Sequence, residues 1–355
     1  MNSKPTLSLM EKLWAVLGIL KSIPFIILSA LAWPLQSNGA STFYRHIAYT
    51  AIREVTGNLP TRAILGLSRT TDEAYAVFME SMGLPVDTVV LENDTKGHWI
   101  GDSSAEHVLF YCHGGSYAVY ASDAHIRGLW QIVRELQFAG KSLAVLLLSY
   151  DVSSTAGYPR QLQQASSLLS YLIKTIDKDP SKVILAGDSA GGHLILALVS
   201  HILHLHPEVP PMDLPPKSAF LGVILLSPWV TFDTESADSM RRNRVKDFLH
   251  IPSLENWSVV FRGAAPQDNY LVPMDAPLKW WQGLPALKVL IISGTDEIFV
   301  DDIDVFAKNL ANVHPTVSHF SASGEAHIQV FAEFMLRESV SRQRAVLQQW
   351  LGERI

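Results

Sequence analysis

With 355 residues, 48% of them hydrophobic and 17% charged, the chain can bury the core of one large α/β domain or two small ones. A net charge of −6 without a long basic block excludes a nucleic-acid partner as the working expectation. A lone cysteine, Cys112, excludes an internal disulfide and a cysteine-rich metal site, and its place at the end of an apolar run makes it a small buried residue.

Residues 1–36 stand apart. Leu13 to Leu20 is apolar, Lys21, Ser22 and Pro24 follow, and Phe25 to Leu35 is apolar again. The stretch has the roughly 20-residue length of a membrane span. Lys21 and Pro24 in its middle predict two short helices meeting at a bend. Three readings stand: a membrane anchor, an interfacial pair of helices, or a greasy flap over a site. The first two give membrane association, the endoplasmic reticulum included; the third leaves the protein cytoplasmic.

Residues 37–355 read as a single domain. Helical spacing runs through residues 40–84, as in Phe43, Ile47 and Ala51, then Ala74, Val77 and Phe78. Asp87 to Leu91 predicts a strand, Asn93 to Gly97 a turn, and Val108 to Cys112 a strand buried on both faces. An amphipathic helix follows over Asp123 to Phe138, then a strand over Leu143 to Leu148. Tyr158-Pro159 opens a helix that runs to about Ile176. Further strands are predicted at Lys182–Ala186, Phe220–Leu226, Val289–Ser293 and Val317–Phe320. Helices are predicted at His193–Leu205, Asp301–Leu310 and, closing the chain, Ile328–Leu351. This alternation argues an α/β fold with a mostly parallel sheet and helices on both faces. Residues about 230–286 break it and read as an inserted helical cap above the strand ends. Its aromatics, Phe248, Trp257, Phe261, Trp280 and Trp281, are candidates for lining an apolar pocket.

The chemistry centres on Gly187-Asp188-Ser189-Ala190-Gly191-Gly192, between a strand and a helix. Glycines at 187 and 191 allow a turn in which strand and helix come too close for side chains. Ser189 at the apex is then strained and projects its hydroxyl from the sheet, beside the free N–H groups of a helix start. Two later strand ends carry Asp296, in Gly294-Thr295-Asp296, and His327, in Gly324-Glu325-Ala326-His327. The order serine, acid, histidine is that of α/β-hydrolases. Glu297, Asp301 and Asp302 compete for the acid and read as the solvated first turn of a helix. His113-Gly114-Gly115-Ser116, directly after a central strand, leaves N–H donors free for an oxyanion, with His113 holding the loop. His201, His204 and His206 read as a solvated helix end rather than a metal site.

These motifs together resemble the hormone-sensitive-lipase-like esterases of the α/β-hydrolase fold. Tyr158-Pro159-Arg160-Gln161 and Ser227-Pro228-Trp229 are most similar to fungal members related to steryl acetyl hydrolase. The resemblance implies oxyanion donors at the N–H groups of Gly115, Ser116 and Ala190, with Gly114 shaping the loop. It differs at Ser116, where the family usually has a third glycine, and at Tyr150-Asp151-Val152-Ser153-Ser154, where an Arg-containing stretch is usual. The expected function is a serine carboxylic-ester hydrolase with Ser189, Asp296 and His327 catalytic, acting on an apolar or lipid-like small-molecule ester without cofactor or metal. Acyl transfer or cyclisation by the same triad is the alternative within the chemistry. A catalytically silent fold that binds lipid or a partner is the alternative outside it. The residues leave chain-length preference and oligomeric state open.

Overall fold

The apolar runs become the strands of one eight-stranded sheet. In the computed structural model, which describes residues 4–35, 38–212 and 214–355, the chain forms α1 (Leu9–Ala32), α2 (Phe43–Asn58), α3 (Thr61–Leu67) and α4 (Thr71–Ser81), then β1 (Thr88–Val90), β2 (Lys96–Ile100), β3 (His107–Cys112), α5 (Asp123–Phe138), β4 (Leu143–Ser149) and α6 (Arg160–Ser170). There follow β5 (Val183–Asp188), α7 (Ala190–Leu203), β6 (Gly222–Leu226), α8 (Asp238–Arg242), α9 (Ile251–Arg262), β7 (Val289–Gly294), α10 (Val300–Ala311), β8 (Val317–Ala322), α11 (Gln329–Leu336) and α12 (Arg342–Gly352). Strand order is β1-β2-β4-β3-β5-β6-β7-β8. β2 runs antiparallel to β1 and β4, and every pair from β4 to β8 is parallel.

Alternation along each strand separates two cores. Val108, Phe110 and Cys112 face one side, packed with α6, α7 and α10; Leu109 and Tyr111 face the other, packed with α5, α11 and α12. Both sides of β3, β4 and β5 are buried, so each strand is a continuous apolar run rather than an alternating one. Phe110 has no exposed surface, and Phe110→Ala would cost roughly 3–5 kcal/mol.

Three local expectations change. The turn predicted over Asn93 to Gly97 gives way at Lys96 to strand β2. Leu168 of α6 and Leu146 pack closely over Gly97, where a Cβ would come within 2.8 and 2.9 Å of their terminal methyls. It marks close packing across a strand, not a turn. The closing helix is two helices, because Arg337 takes a left-handed conformation with φ 55° and Ser341 caps a new helix. Glu333 joins the pair, accepting the Ser341 N–H and binding the buried Arg344 guanidinium.

The third change is at the N-terminus. α1 is a single helix with Pro24 inside it, not a bent pair, and Lys21 is exposed on its surface. A proline inside a helix costs about 3 kcal/mol in a lost hydrogen bond and a clash. Contacts along the helix offset this. Ser8 and Glu11 form a reciprocal cap at its start. Its small and polar positions dock on α2: Gly18 packs on the Asn58 carbonyl, Asn58 Nδ2 donates to Ser22 Oγ at 3.1 Å, and Ser29 Oγ lies 2.7 Å from His46 Nε2.

Candidate active site

β5 ends at Asp188 and α7 starts at Ala190, so Ser189 alone makes the turn, with φ 52° and ψ −119°. That backbone is disfavoured for a residue with a Cβ and is held on every side. Ser189 N–H donates to Leu226 O, and Ser189 O accepts from Trp229 and His193 N–H. A Cβ on Gly187 would lie 2.4 Å from the Gly191 carbonyl carbon, and one on Gly191 only 2.0 Å from Cys112 O. At the first helical position, the Ala190 N–H has no intrahelical acceptor. Cys112 beneath the turn is fully buried, which pushes its thiol well above the usual range.

The loop after β3 runs past the same serine. Gly115, Ser116 and Tyr117 have φ of 111°, 53° and 59°, three successive left-handed residues. Gly114 cannot carry a side chain, because a Cβ would meet Asp188 Oδ2 at 2.2 Å. Its N–H is occupied, donating to Asp188 Oδ1 at 2.9 Å, so Gly114 is not an oxyanion donor itself. The N–H groups of Gly115 and Ser116 make no hydrogen bond among the described residues. His113 stacks on Tyr150 at 4.2 Å, and its ring nitrogens face Gly114 O and Thr71 Oγ1. Burial, with the His125 charge nearby, pushes it down to about 4, so it is neutral and holds the loop.

Asp188 ties the two segments together. Its fully buried carboxylate accepts from Tyr111 OH at 2.8 Å, Gly114 N–H, and His125 Nε2 at 3.2 Å. Burial pushes this carboxyl up, but the His125 charge and hydrogen bond, with the Tyr111 bond, outweigh it and hold it below its ordinary value.

Of the two adjacent carboxylates, the structure brings Glu297, not Asp296, to His327. Asp296 turns outward, with Lys246 Nζ 3.5 Å from its Oδ1. Glu297 is fully buried, and its Oε2 lies 3.2 Å from His327 Nδ1. The turn after β7 decides this. Asp296 N–H bonds to Glu325 O and Glu297 N–H to Gly294 O, which aims residue 297 at the histidine. Gly294 lets the two loops touch, since a Cβ there would lie 2.1 Å from Glu325 O. Glu297 is not part of a solvated first helical turn: α10 begins at Val300, and only Asp301, bound to Arg242, fits that description. The apolar Ile298-Phe299 that follows was the available signal for an inward 297.

Glu297, which can only accept, fixes the proton of the neutral His327 ring on Nδ1 and leaves Nε2 as the free lone pair. That nitrogen is buried and has no hydrogen bond among the described residues. Burial pulls the imidazolium down, but the Glu297 bond and charge, with Asp247 and Asp188 behind them, hold His327 above its ordinary 6.5.

Ser189, His327, Gly115 and Ser116 all open onto one cavity of about 240 Å³. Its walls are Phe248, Leu249 and Trp257 from the segment predicted as a cap, Phe331 and Met335 of α11, and Ile52 and Thr56 of α2. The contribution of α2 carries no motif in the sequence. Of the other predicted pocket aromatics, Phe261 stacks on Tyr117, Trp280 on His204, and Trp281 packs on Phe306. His201 and His206 are buried rather than solvated; His201 and His204 face backbone carbonyls, and His206 accepts the Glu208 N–H.

A family model described as steryl acetyl hydrolase matches residues 98–333. The chain belongs to the steryl acetyl hydrolase family. It is similar to "Steryl acetyl hydrolase 1" of Saccharomyces cerevisiae, 26% identical over 235 residues that cover 62% of this chain and 52% of the yeast protein. It is also 27% identical to an "Acetyl-hydrolase" of Streptomyces hygroscopicus, over 65% of this chain and 71% of that one. The chain spans about half the length of the yeast relative. Among solved structures, an esterase of the bacterial hormone-sensitive lipase family superposes with TM-score 0.64 at 23% identity, covering 89% of this chain and 99% of that one. A thermostable esterase from Pseudomonas putida gives 0.67 at 19%, covering 88% and 96%. This family member therefore has the α/β-hydrolase fold.

Proposed function

We propose that the protein is a serine carboxylic-ester hydrolase that works through an acyl-enzyme on Ser189. The observation carrying this reading is that Ser189, on its strained apex, and the Nε2 of His327, which has no hydrogen bond among the described residues, face the same largely apolar cavity. In the reaction, Ser189 Oγ attacks the ester carbonyl while His327 Nε2 takes its proton. Glu297, in the role expected of Asp296, fixes the imidazole tautomer and stabilises the imidazolium. The oxyanion is received by the N–H groups of Gly115, Ser116 and Ala190, each worth about 2.7–4 kcal/mol if it behaves like an oxyanion-hole donor elsewhere. His327 then protonates the departing alcohol. Water, deprotonated by the same nitrogen, releases the acid and restores Ser189. The apolar walls suit an apolar ester. The relatives' names add acetyl esters as the first substrates to try.

The test is covalent labelling by a fluorophosphonate probe, located by mass spectrometry, together with p-nitrophenyl ester turnover. Label on Ser189 is expected, and Ser189→Ala should be folded and slower on the order of 10³-fold or more. Equal turnover by the purified mutant would sink the reading.

We also propose that α1 associates with a membrane. The helix is inside-out: it turns Gly18, Ser22 and Ser29 toward α2 and leaves Leu13, Trp14, Leu17, Leu20, Leu28 and Leu31 exposed. Small and polar residues at the helix contact, with leucines outward, is the pattern lipid favours. At 24 residues the helix is about 36 Å long, enough to span. Carbonate-washed membranes from cells expressing the full-length chain should retain it. Full-length protein found wholly in the soluble fraction would refute the association.

A further inference from the structure

Glu297 is an under-supported acid. One carboxylate oxygen meets His327, and the other, Oε1, is buried with no hydrogen bond among the described residues. No backbone N–H holds the carboxylate itself, so its aim depends on its main chain. That main chain is gripped from outside the α/β core, by one turn of the segment after α8. Asn243 Nδ2 donates to Thr295 O at 2.9 Å and to Glu297 O at 2.8 Å. Asp247 Oδ2 accepts the Ile298 N–H at 2.8 Å, while Oδ1 accepts the Phe248 N–H at 2.7 Å. Asp247 N–H bonds back to Asn243 O, so both side chains project from the same turn. Both residues are fully buried. From the other side, Arg53 Nη1 of α2 donates to Asp247 O at 2.6 Å.

We propose that Asp247 is a positioning residue for the acid–base pair: it clasps the peptide between Glu297 and Ile298, and so sets the carboxylate of Glu297 against His327. Asp247 also brings a second negative charge to the imidazolium. The groups around it are His327 and Glu297 across the clasp and Arg53 and Tyr49 from α2. Burial, only partly offset by His327 and the Ile298 bond, pushes this carboxyl up to about 6.

The inference rests on the serine-hydrolase reading above, and the experiment separates the two. Purified full-length Asp247→Asn and Glu297→Gln are compared with wild type on a p-nitrophenyl ester, as kcat and KM across pH. Asn keeps the shape but presents an N–H2 where one N–H donor was accepted, and removes the charge. The expected result is a kcat loss on the order of tenfold to 10²-fold, as for a displaced catalytic group, with KM little changed. The acid limb of kcat/KM should move to lower pH, because the imidazolium loses a stabilising charge. A part that only supported the fold would lower yield or thermal stability and leave that limb in place. Wild-type kcat and limb in Asp247→Asn, with Glu297→Gln impaired, overturns the inference alone. Full activity in Glu297→Gln overturns the triad reading and the inference with it. If Asp247→Asn does not fold, Asn243→Ala loosens the same loop by removing its bonds to Thr295 and Glu297. It should show the same kcat loss at unchanged KM, and wild-type kcat there overturns the clasp.

Discussion

The two halves of the site are built by different means. The nucleophile half, from β3 and β5, is backbone pressed on backbone, with Gly187, Gly191 and Gly114 placed where a Cβ would meet main chain or the Asp188 carboxylate at 2.4 Å or less. The acid–base half, on the loops after β7 and β8, has one such contact, at Gly294, and is otherwise held by side chains gripping backbone: Asn243 and Asp247 on the acid loop, Ser227 on the Ile328 N–H after the histidine. The first kind of contact is strict at single positions, because the atoms a Cβ would meet are mostly main chain. The second depends on partners 50 to 100 residues away and tolerates alternatives. A site can therefore be rigid in one half and adjustable in the other.

Gly191→Ala is the largest expected break. Its methyl would lie 2.0 Å from Cys112 O, between two main-chain segments, and neither can yield without moving β3 or α7. No soluble, probe-reactive protein is expected. Gly192→Ala, where the nearest atom is Pro228 Cβ at 3.0 Å, should retain soluble, labelled protein. Equal yields from the two would show that the main-chain contact at Gly191 is not strict.

That contrast also explains what could be read from the sequence. The serine, its glycines and the His-Gly-Gly loop are local patterns with a steric cause, and the long apolar strands β3 to β7 come from burial on both faces. Asp296 and Glu297 are adjacent carboxylates, and the apolar Ile298-Phe299 after them is a slight local signal; the Asp296 N–H to Glu325 O bond, across two loops, decides which faces inward. Gly97 misled for the opposite reason. A glycine packed closely under α6 has the same letter as one required by a turn. Pro24 misled because α1 is held by contacts with α2, to which its own sequence is blind.

Glu297→Gln and Asp296→Asn sharpen the acid side of the comparison. Glu297→Gln keeps the volume but disfavours the imidazolium and permits the wrong tautomer. A kcat loss on the order of 10³- to 10⁴-fold is expected from comparable acid-to-amide changes. Asp296→Asn, whose carboxylate faces Lys246 and not the histidine, should stay within about threefold of wild type. The reverse ranking would return the acid role to Asp296.

Because His327 must be neutral to accept a proton, activity is lost as pH falls through its pKa. That pKa is raised by Glu297 against the pull of burial, so the wild-type acid limb of kcat/KM should fall above 6.5. In Glu297→Gln the limb should shift to lower pH wherever residual turnover is measurable. A limb at the same pH in both proteins would mean that the Glu297 charge does not reach the imidazole.

Ser227→Ala probes the mildest restraint. Ile328, next to His327, has φ 41° and ψ 44°, a left-handed conformation that disfavours a β-branched residue by about 1–3 kcal/mol. Ser227 ends β6 with φ 45°, its N–H bound to Ile292 O, and its Oγ accepts the Ile328 N–H at 3.2 Å. Removing the hydroxyl leaves that N–H without an acceptor, a loss of roughly 1–3 kcal/mol if the loop cannot relax. But Gln329, one residue on, is still anchored: Tyr49 OH donates to its Oε1 at 2.5 Å, and its Nε2 donates to Glu338. The histidine should therefore keep its place on average and lose only precision. A severalfold fall in kcat is expected, with KM and the acid limb unchanged because no charge is removed. A loss as large as that of Glu297→Gln would show instead that the histidine is held as strictly as the serine, and that the two halves of the site do not differ in kind.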